Sequence, residues 1–587
     1  MTRRRTRDEA GYVALVVAIL FSSVMLGLAA IGVDVARWYV EAERVQTAAD
    51  AAALAGVVYL PDNMAKAVTT ARKSAELNGY EHGVNAEVTV GYGERRSQLD
   101  VTISTEVDNQ FGAAIGVDTA TVGRRAAADY TSPAPMGSPC NTFGNEPLGG
   151  SDANSGPRLG QSTCASQPNL WGAIEGPDTD KASGDRYSTT PCGPADPGFS
   201  ATYGCAASRN SEATYPEGYF FAVRVTSALI GKSVRLQIFD PAFYHTGTSC
   251  TLNMPTNVTS MSNTANKYTT DARTRYLSGS GSTRPFCTGD VSLNTSKAAP
   301  VTSFALRGAN DASDPMEGPG IAGCTAQFRG YTTAPSTNNL TSSSGSYNDA
   351  AAKTFRQWVD LCSFTPTRAG NYFVQVRTNV ELGGVPESNG TATPIVYRNN
   401  PNVLLATGAR TTGNGANAFA LRAIAPSNDQ VAVSGWARMP MLQNAPGTVA
   451  EFHMLRVLPS AAGQSISFEF FDSADVNETT TQPGKVTVLP PVDATGTITT
   501  TGLTGCTQAL NDATFAPADV GCSVKVSRKT HNGQLQRMSI PIPDDYTCTD
   551  TTQSGCWFKI RVELGGTITD VTTWDASLEG DPVRLIE

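Results

Sequence analysis

The stretch that decides the fold is GYVALVVAILFSSVMLGLAAIGVDVARWYVEAERVQTAADAAALAGV, from Gly11 to Val57. Its first part, Gly11 to Val33, contains no charged residue, and at ~1.5 Å per helical residue it reaches roughly 34 Å. That length covers the ~30 Å hydrocarbon core of a bilayer, whereas the apolar core of a cleavable leader has only ~7–15 residues. The sequence therefore predicts a transmembrane helix that remains attached to the chain.

Charges and cysteines on either side of this helix predict its orientation. Arg3, Arg4, Arg5 and Arg7 precede it, and the positive-inside rule keeps such a tail in the cytoplasm. All 12 cysteines follow it, which indicates disulfides formed in an oxidising compartment, with the pairing left open. The disulfide candidates are Cys140, Cys164, Cys192, Cys205, Cys250, Cys287, Cys324, Cys362, Cys506, Cys522, Cys548 and Cys556. We expect a single-pass membrane protein with its N-terminus in the cytoplasm and the bulk of the chain extracellular.

Composition excludes one class of partner. The formal net charge is −9, and only 17% of the residues are charged. Nucleic-acid binding needs clustered Lys and Arg, and the sequence has no run of five or six basic residues. We therefore expect no nucleic-acid partner.

The helix is predicted to continue beyond the membrane. Apolar and small residues recur at alternating three- and four-residue steps, which is the pattern of a helix that packs along its length. Two interpretations stay open: the seam packs beside other helices, or it covers this protein's own domain. Pro61 then ends the helix. The seam consists of Val35, Trp38, Ala42, Val45, Ala49, Ala52 and Gly56.

Asp34, Trp38, Tyr39 and the run VQTAADAAALAGV (Val45 to Val57) directly follow the apolar stretch. This segment resembles TadE/TadG-like pilus-assembly proteins, which are single-pass, pilin-like components of the bacterial Flp (tight adherence) system. The resemblance implies a non-enzymatic envelope component, associated with pilus assembly, secretion or surface adhesion, whose partners are the membrane and other pilin-like proteins. The assembly-helix residues implied by the resemblance and the seam are Asp34, Trp38, Val45, Gln46, Ala49, Asp50, Ala52 and Gly56.

Residues 34–130 are expected to form this helical extension and a small α/β unit. A second helix is predicted over Asn63 to Leu77. Alternation from Leu99 to Val107 predicts a half-buried strand with a hairpin partner at Val88 and Val90, followed by a short helical piece at Phe111 to Ile115 and a last strand at 125–130.

The remaining chain is predicted to be mainly β. Residues 131–215 are rich in Gly, Pro and Ser, so an irregular, disulfide-stapled region is expected. Two segments then resemble each other: YFFAVRVTSALIGKSVRLQIFD (219–240) and EFHMLRVLPSAAGQSISFEFFD (451–472). Residues 371–384 likewise match 556–566, and 417–423 match 581–587. The predicted fold class is α+β and membrane-anchored, with two related disulfide-bearing β-sandwiches over 216–425, which carries a polar insertion, and 426–587.

Catalytic motifs that local spacing can reveal are absent from the sequence, whereas a pair of glycosidase carboxylates would leave no signal in sequence spacing. The chain has four histidines, none in a metalloprotease spacing, and it has no Gly-x-Ser-x-Gly elbow. We therefore predict a protein that is not an enzyme and needs no cofactor. Acidic loop residues are calcium candidates, although solvated carboxylates are the ordinary interpretation. These candidates are Asp178, Asp180, Asp185, Asp311, Asp314 and Glu317.

An alternative function rests on the tryptophans. Trp358, Trp436, Trp557 and Trp574 could line a sugar-binding platform, although burial in a sandwich core is the simpler expectation. In this alternative the protein is a membrane-tethered carbohydrate- or ligand-binding module, and its partner is an extracellular surface or glycan.

Overall fold

The apolar N-terminal stretch forms a single helix, α1, from Ala10 to Val57. In this computed structural model, Tyr12 to Ala29 are exposed, whereas one face of the helix is buried from Asp34 onwards.

The chain divides into two compact units, residues 1–131 together with 582–587, and residues 132–581. The structure describes residues 10–60, 64–93, 98–130, 135–144, 170–189, 210, 217–245, 290, 298–310, 315–333, 335–340, 343–383, 396–406, 411–445, 449–473, 484–498, 502–549, 555–563, 568–579 and 583–586.

The N-terminal unit packs two helices against one antiparallel sheet. The sheet order is β1, β2, β3 and then a strand from the end of the chain. Alternation placed the apolar residues of β2 correctly, because Leu99, Val101 and Ile103 are buried while Thr102 is exposed. The elements are α2 (Met64–Leu77), β1 (Ala86–Tyr92), β2 (Gln98–Asp108), a 3-10 helix (Gly112–Ile115), β3 (Thr119–Tyr130) and the strand Val583–Ile586.

The second unit is almost entirely β. Its strands are β4 (Pro135–Met136), β5 (Thr142–Phe143), β6 (Leu170–Glu175), β7 (Tyr219–Val225), β8 (Val234–Phe239), β9 (Thr302–Arg307), β10 (Gly320–Phe328), β11 (Trp358–Phe364), β12 (Gly370–Arg377), β13 (Val396–Arg398), β14 (Ala416–Ile424), β15 (Val431–Trp436), β16 (Arg438–Ala445), β17 (Val449–Arg456), β18 (Ser465–Phe471), β19 (Gly484–Leu489), β20 (Ala494–Thr495), β21 (Thr507–Leu510), β22 (Ala516–Pro517), β23 (Ser523–Val526), β24 (Leu535–Pro541), β25 (Thr547–Cys548), β26 (Trp557–Glu563) and β27 (Ile568–Glu579). Its short helices are Lys181–Ser183, Ser227–Leu229, Thr337–Leu340, Asp349–Thr354, Pro401–Leu404, Asn428–Gln430, Pro459–Ala461 and Arg528–His531.

Apart from β20 and β25, which pair with each other, these strands form two large, open sheets that share one apolar core. The first sheet runs β13-β10-β9-β12-β7-β15-β4-β17-β26-β19-β23, and the second runs β11-β8-β14-β6-β16-β27-β18-β24-β21-β22 with β5 on β14. Phe221 of the first sheet meets Phe419 of the second with ring centroids 5.5 Å apart. Phe452 and Trp574 make the corresponding contact 5.0 Å apart farther along the sheets. The fold class predicted from the sequence, an apolar helix followed mainly by β-structure with disulfides, is confirmed.

The repeat seen in the sequence corresponds to equivalent geometry. Strand, 3-10 turn and strand follow one another in both copies, as β7 to β8 and as β17 to β18. Each copy ends in an aspartate of positive φ, Asp240 at 53° and Asp472 at 58°. Their carboxylates accept the backbone N–H of Arg356 (2.8 Å) and Gly533 (2.6 Å). Each donor lies two residues before a strand that pairs with the strand ending at the aspartate, β11 with β8 and β24 with β18. The aspartates therefore hold a turn, which is the ordinary role of Asp at a strand end.

The two copies exchange their first strands. Strand β4, which precedes the first copy, pairs with β17 of the second, and β15, which precedes the second copy, pairs with β7 of the first. Strands β6 and β16 pair with each other between β14 and β27. The sheets of the two halves are therefore continuous, and the separation into two sandwich domains stays a prediction.

Two details differ from the sequence-based expectation. The region 131–215, expected to be irregular, contributes β4, β5 and β6 to the sheets, and every residue of β6 is buried. Residues 417–423 lie in β14, whereas the segment matched to them contains Val583–Ile586, which pairs with β3 of the N-terminal unit. The geometric counterpart of β14 is β27, since β14 pairs with β8 and β27 pairs with β18. A match of seven residues is too short to place a strand in a fold of this size.

Disulfide bonds join strands and close short loops in the β unit. The disulfide Cys324–Cys362 joins β10 of the first sheet to β11 of the second. Cys506–Cys522 and Cys548–Cys556 close shorter loops, and Cys140 is also disulfide-bonded. The candidates Cys164, Cys192, Cys205, Cys250 and Cys287 lie outside the described residues.

Candidate membrane and assembly site

The first part of α1 presents apolar side chains around its whole circumference. Side chains from Tyr12 to Ala29 are exposed, and a side chain built at Gly27 or Gly32 would meet no atom within 4 Å. The helix is long and apolar enough to cross a membrane. A continuous apolar surface of this extent is stable in lipid and costly in water, so it fits a single-pass membrane anchor.

Asp34 lies at the first charged position after this apolar stretch. Its side chain is buried, and its carboxylate accepts the backbone N–H groups of Gln110 (2.8 Å), Phe111 (3.0 Å) and Gly112 (2.7 Å). These donors begin the 3-10 helix between β2 and β3. The carboxylate therefore fastens the β2–β3 connection to the end of the apolar segment.

Further polar contacts are made by α1 residues that follow Asp34. The Trp38 indole N–H donates to Asn109 Oδ1 at 2.8 Å. The Gln46 amide donates to Asp50 Oδ1 (2.8 Å) and to the backbone carbonyl of Arg125 (3.2 Å). The Tyr80 hydroxyl donates a hydrogen bond to the carboxylate of Glu41, another residue of α1, at 2.8 Å. Sequence analysis missed Asn109 and Tyr80, because a long-range partner leaves no signal in local spacing.

The helical seam is buried inside the N-terminal unit. Val45, Ala49, Ala52 and Gly56 are buried, in the same apolar cluster as residues of α2 and of the sheet. A Cβ added at Gly56 would lie 2.5 Å from the side chain of Leu99. The sequence left two interpretations of the seam open, packing beside other helices or packing on the protein's own domain. In the structure the seam packs on the protein's own domain.

The opposite face of α1 carries the exposed residues of the extension. A partner helix that packs along α1 in this fold would contact this face, because the seam is already covered. The exposed face comprises Ala36, Arg37, Tyr39, Val40, Glu43, Arg44 and Thr47.

The calcium candidates do not converge as one exposed set. The Asp178 carboxylate accepts the backbone N–H of Gly413 at 2.9 Å, and buried Asp185 accepts from the Tyr219 hydroxyl and the Tyr187 backbone. Asp180 precedes the helix Lys181–Ser183 and is half-buried, Glu317 is exposed, and Asp311 and Asp314 lie outside the described residues. Calcium binding by this set stays a prediction.

Glu175 is a buried carboxyl group of the β unit in an unusual environment. It ends β6 and is buried, and neither of its oxygens accepts a hydrogen bond of ordinary geometry. Burial raises the pKa of Glu175 well above its ordinary value, and the nearby carboxylates of Asp185 and Asp472 raise it further. We expect this group to be protonated over a wide pH range.

Four tryptophans were candidates for a sugar platform, and all of them are buried: Trp358, Trp436, Trp557 and Trp574. Trp574 stacks on Phe468 in the core with ring centroids 5.8 Å apart. These side chains therefore contribute packing energy and do not form an exposed platform.

One group of potential metal ligands occurs among the described residues, Asp493 with Cys548 and Cys556. The two cysteines form a disulfide, and the Asp493 carboxylate accepts the backbone N–H of Cys556 (3.1 Å). Oxidised sulfur is not a thiolate ligand, so the arrangement holds a turn.

A long apolar helix whose C-terminal part is fastened to a folded unit fits a membrane anchor of the single-pass type. Residues 11–62 match the family model described as "Putative Flp pilus-assembly TadE/G-like". The match covers α1 and the turn that follows it, which confirms the resemblance for the N-terminal region. The description of this family names pilus assembly and no catalytic activity. The chain matches no curated protein and no solved structure.

Proposed function

We propose that the protein is a non-enzymatic envelope component of a Flp-type pilus-assembly or secretion system. In this proposal α1 anchors the chain, the basic tail lies in the cytoplasm and both folded units lie outside the cell. One observation carries the proposal: the TadE/G-like segment continues without a break from an exposed apolar helix into a domain fastened to it at Asp34. Disulfides in the β unit support an exterior location.

The partners proposed are the membrane and other pilin-like subunits, with adhesion to an external surface as a further role of the β unit. Lateral packing would use the apolar segment and the exposed face of α1. Tyr39 and Val40 are large apolar side chains on that face and lie six and seven residues beyond Val33, at the level where neighbouring anchors in one membrane would meet.

Site-specific photo-crosslinking in the native cells tests this proposal. A photoreactive amino acid placed at Tyr39 should give adducts to pilin-like membrane proteins, identified by mass spectrometry. Leu77 is a matched control, because it is exposed and apolar but belongs to α2. If Tyr39 and a position in the apolar segment both fail to capture any pilin-like protein, the assembly role is wrong.

The proposed role needs no cofactor. A calcium titration of thermal unfolding tests the acidic loop residues separately, since an ion bound only by the folded state raises the midpoint by an amount that grows with the logarithm of the ion concentration above its dissociation constant. A midpoint that does not change would remove the calcium candidates from consideration.

A further inference from the structure

The connection between β2 and β3 is apolar and exposed. Its sequence between Asp108 and Asp118 is NQFGAAIGV, which contains no charge. Phe111 has 49% and Val117 has 50% of its surface exposed. Backbone hydrogen bonds from Asn109 to Asp118 and from Val117 to Gly112 (2.8 and 3.0 Å) keep the turn compact. Two large apolar side chains, Phe111 and Val117, are thus held outward on one compact turn that carries no charge.

The direction of the β2–β3 hairpin places this turn at the membrane end of the N-terminal unit. Leu99, at the start of β2, lies against Gly56 near the end of α1. Asn109, just after β2, binds Trp38, and the next three residues bind Asp34. Strand β2 therefore runs antiparallel to α1, and the turn that follows it reaches the level at which the apolar segment ends.

The level of the turn can be estimated from the helix geometry. The apolar segment is roughly 34 Å long, against ~30 Å of hydrocarbon, so its end lies at the edge of the bilayer. The Phe111 N–H is 3.0 Å from the carboxylate of Asp34, the next residue of the helix. A side chain in a helix leans toward the N-terminus, so Asp34 points toward the membrane side. With α1 spanning a bilayer as proposed above, Phe111 would lie at headgroup depth.

We propose that the turn formed by residues 110–117 is a second membrane contact, which places Phe111 and Val117 in the interfacial layer of lipid. Phe and aliphatic side chains on the apolar face of interfacial segments insert into the boundary between headgroups and acyl chains. The absence of charge between Asp108 and Asp118 permits insertion, and the three hydrogen bonds to Asp34 hold the turn at a fixed height. Together with α1 the turn would fix the tilt of the N-terminal unit on the membrane. The inference rests on the membrane anchoring proposed above.

Lipid photo-crosslinking of the full-length protein tests the inference. Benzoylphenylalanine replaces Phe111 in one variant and Tyr92 in another, and each protein is reconstituted in vesicles of phosphatidylethanolamine and phosphatidylglycerol. Tyr92 is the matched control, since it is aromatic and 40% exposed but pairs with Leu99 at the far end of the hairpin. A diazirine side chain at Val117 and at Val58, which is 43% exposed, gives an aliphatic pair.

Illumination should yield several-fold more phospholipid adduct at positions 111 and 117 than at 92 and 58, measured by intact mass. Equal yields at the two ends would overturn the inference. Adducts at position 111 to protein instead of lipid, measured in native membranes, would overturn it as well.

A third variant with benzoylphenylalanine at Phe21 separates the two proposals. Adducts at 21 without adducts at 111 leave the anchor intact and reject the turn, whereas no adducts at 21 reject the anchor itself.

Discussion

Two carboxyl groups show how differently this chain buries acids. The Asp34 carboxylate accepts three backbone N–H groups, which compensate a charge removed from water. Glu175 accepts no hydrogen bond of ordinary geometry and lies near other acids, so its neutral form is favoured. The sequence singled out Asp34 through a family resemblance but overlooked Glu175, because nothing in local spacing shows that a carboxyl group will be buried.

Replacing Asp34 by Ala should release the β2–β3 turn. We expect faster amide hydrogen exchange at Gln110, Phe111 and Gly112, because their N–H groups lose their acceptor. The measurement is hydrogen–deuterium exchange with peptide mass spectrometry in detergent. Asp50→Ala is the control, since that carboxylate accepts from Gln46 on the same helix. Unchanged exchange at residues 110–112 would show that Asp34 does not hold the turn.

Replacing Glu175 by Gln should stabilise the β unit at high pH and not at low pH. The pKa of Glu175 is raised in the folded state, so the unfolded chain releases this proton first as the pH rises. Wild-type stability is therefore complete below the unfolded pKa of ~4.3 and falls as the pH rises toward the folded pKa, by up to about 1.4 kcal/mol per pH unit.

The midpoint of thermal unfolding, measured from pH 4 to pH 9 for the full-length protein, should diverge between wild type and Glu175→Gln. Exposed Asp429→Asn should follow wild type throughout. Parallel curves for wild type and Glu175→Gln would contradict the assignment of a buried, neutral carboxyl.

At the scale of elements, α1 shows what periodicity can and cannot predict. The steps from Val45 through Ala49 and Ala52 to Gly56 predicted a packing face, and that face is buried. Periodicity does not identify the surface that covers it, and here the protein's own sheet and α2 do so. Strand β2 was predictable because one of its faces is polar, whereas β6 is buried throughout and lies in a Gly- and Pro-rich region.

Replacing Gly56 by Leu should lower the stability of the N-terminal unit. The first added carbon would lie 2.9 Å from the Ala67 carbonyl and 3.0 Å from Ala71 Cβ, and overpacking typically costs about 1–3 kcal/mol. Gly27→Leu is the control, because no atom lies within 4 Å of its Cβ position. Limited proteolysis and the thermal midpoint measure the effect. Equal stability of the two variants would contradict the close packing of α1 on α2.

Considered as a whole molecule, the β unit is a pair of related halves linked by exchanged strands. The sequence revealed the duplication through residues 219–240 and 451–472. It did not reveal the exchange, because strand pairing depends on register between distant segments, and β4 has only two residues. The exchange means that each half uses a strand from the other, so neither half has its complete set of strands alone.

The exchange predicts which fragments of the β unit fold. Fragment 132–581 contains all the strands, whereas fragment 217–581 lacks β4, β5 and β6. Burial of Leu170, Trp171 and Ile174 in β6 contributes roughly 5–9 kcal/mol at ~1.5–3 kcal/mol per side chain, comparable to the ~5–15 kcal/mol stability of a whole domain. Its loss also leaves β14 and β16 with unpaired edges, which promote aggregation.

We therefore expect fragment 132–581 to be monodisperse by size-exclusion chromatography and to unfold cooperatively by circular dichroism, and fragment 217–581 to aggregate. Fragment 145–581, which keeps β6 but loses β4 and β5, should lie between them. Because both shorter fragments also lack the disulfide-bonded Cys140, Cys140→Ser in fragment 132–581 isolates the loss of that bond. If fragment 217–581 unfolds as cooperatively and at the same temperature as fragment 132–581, β6 is not the central strand that links the two halves.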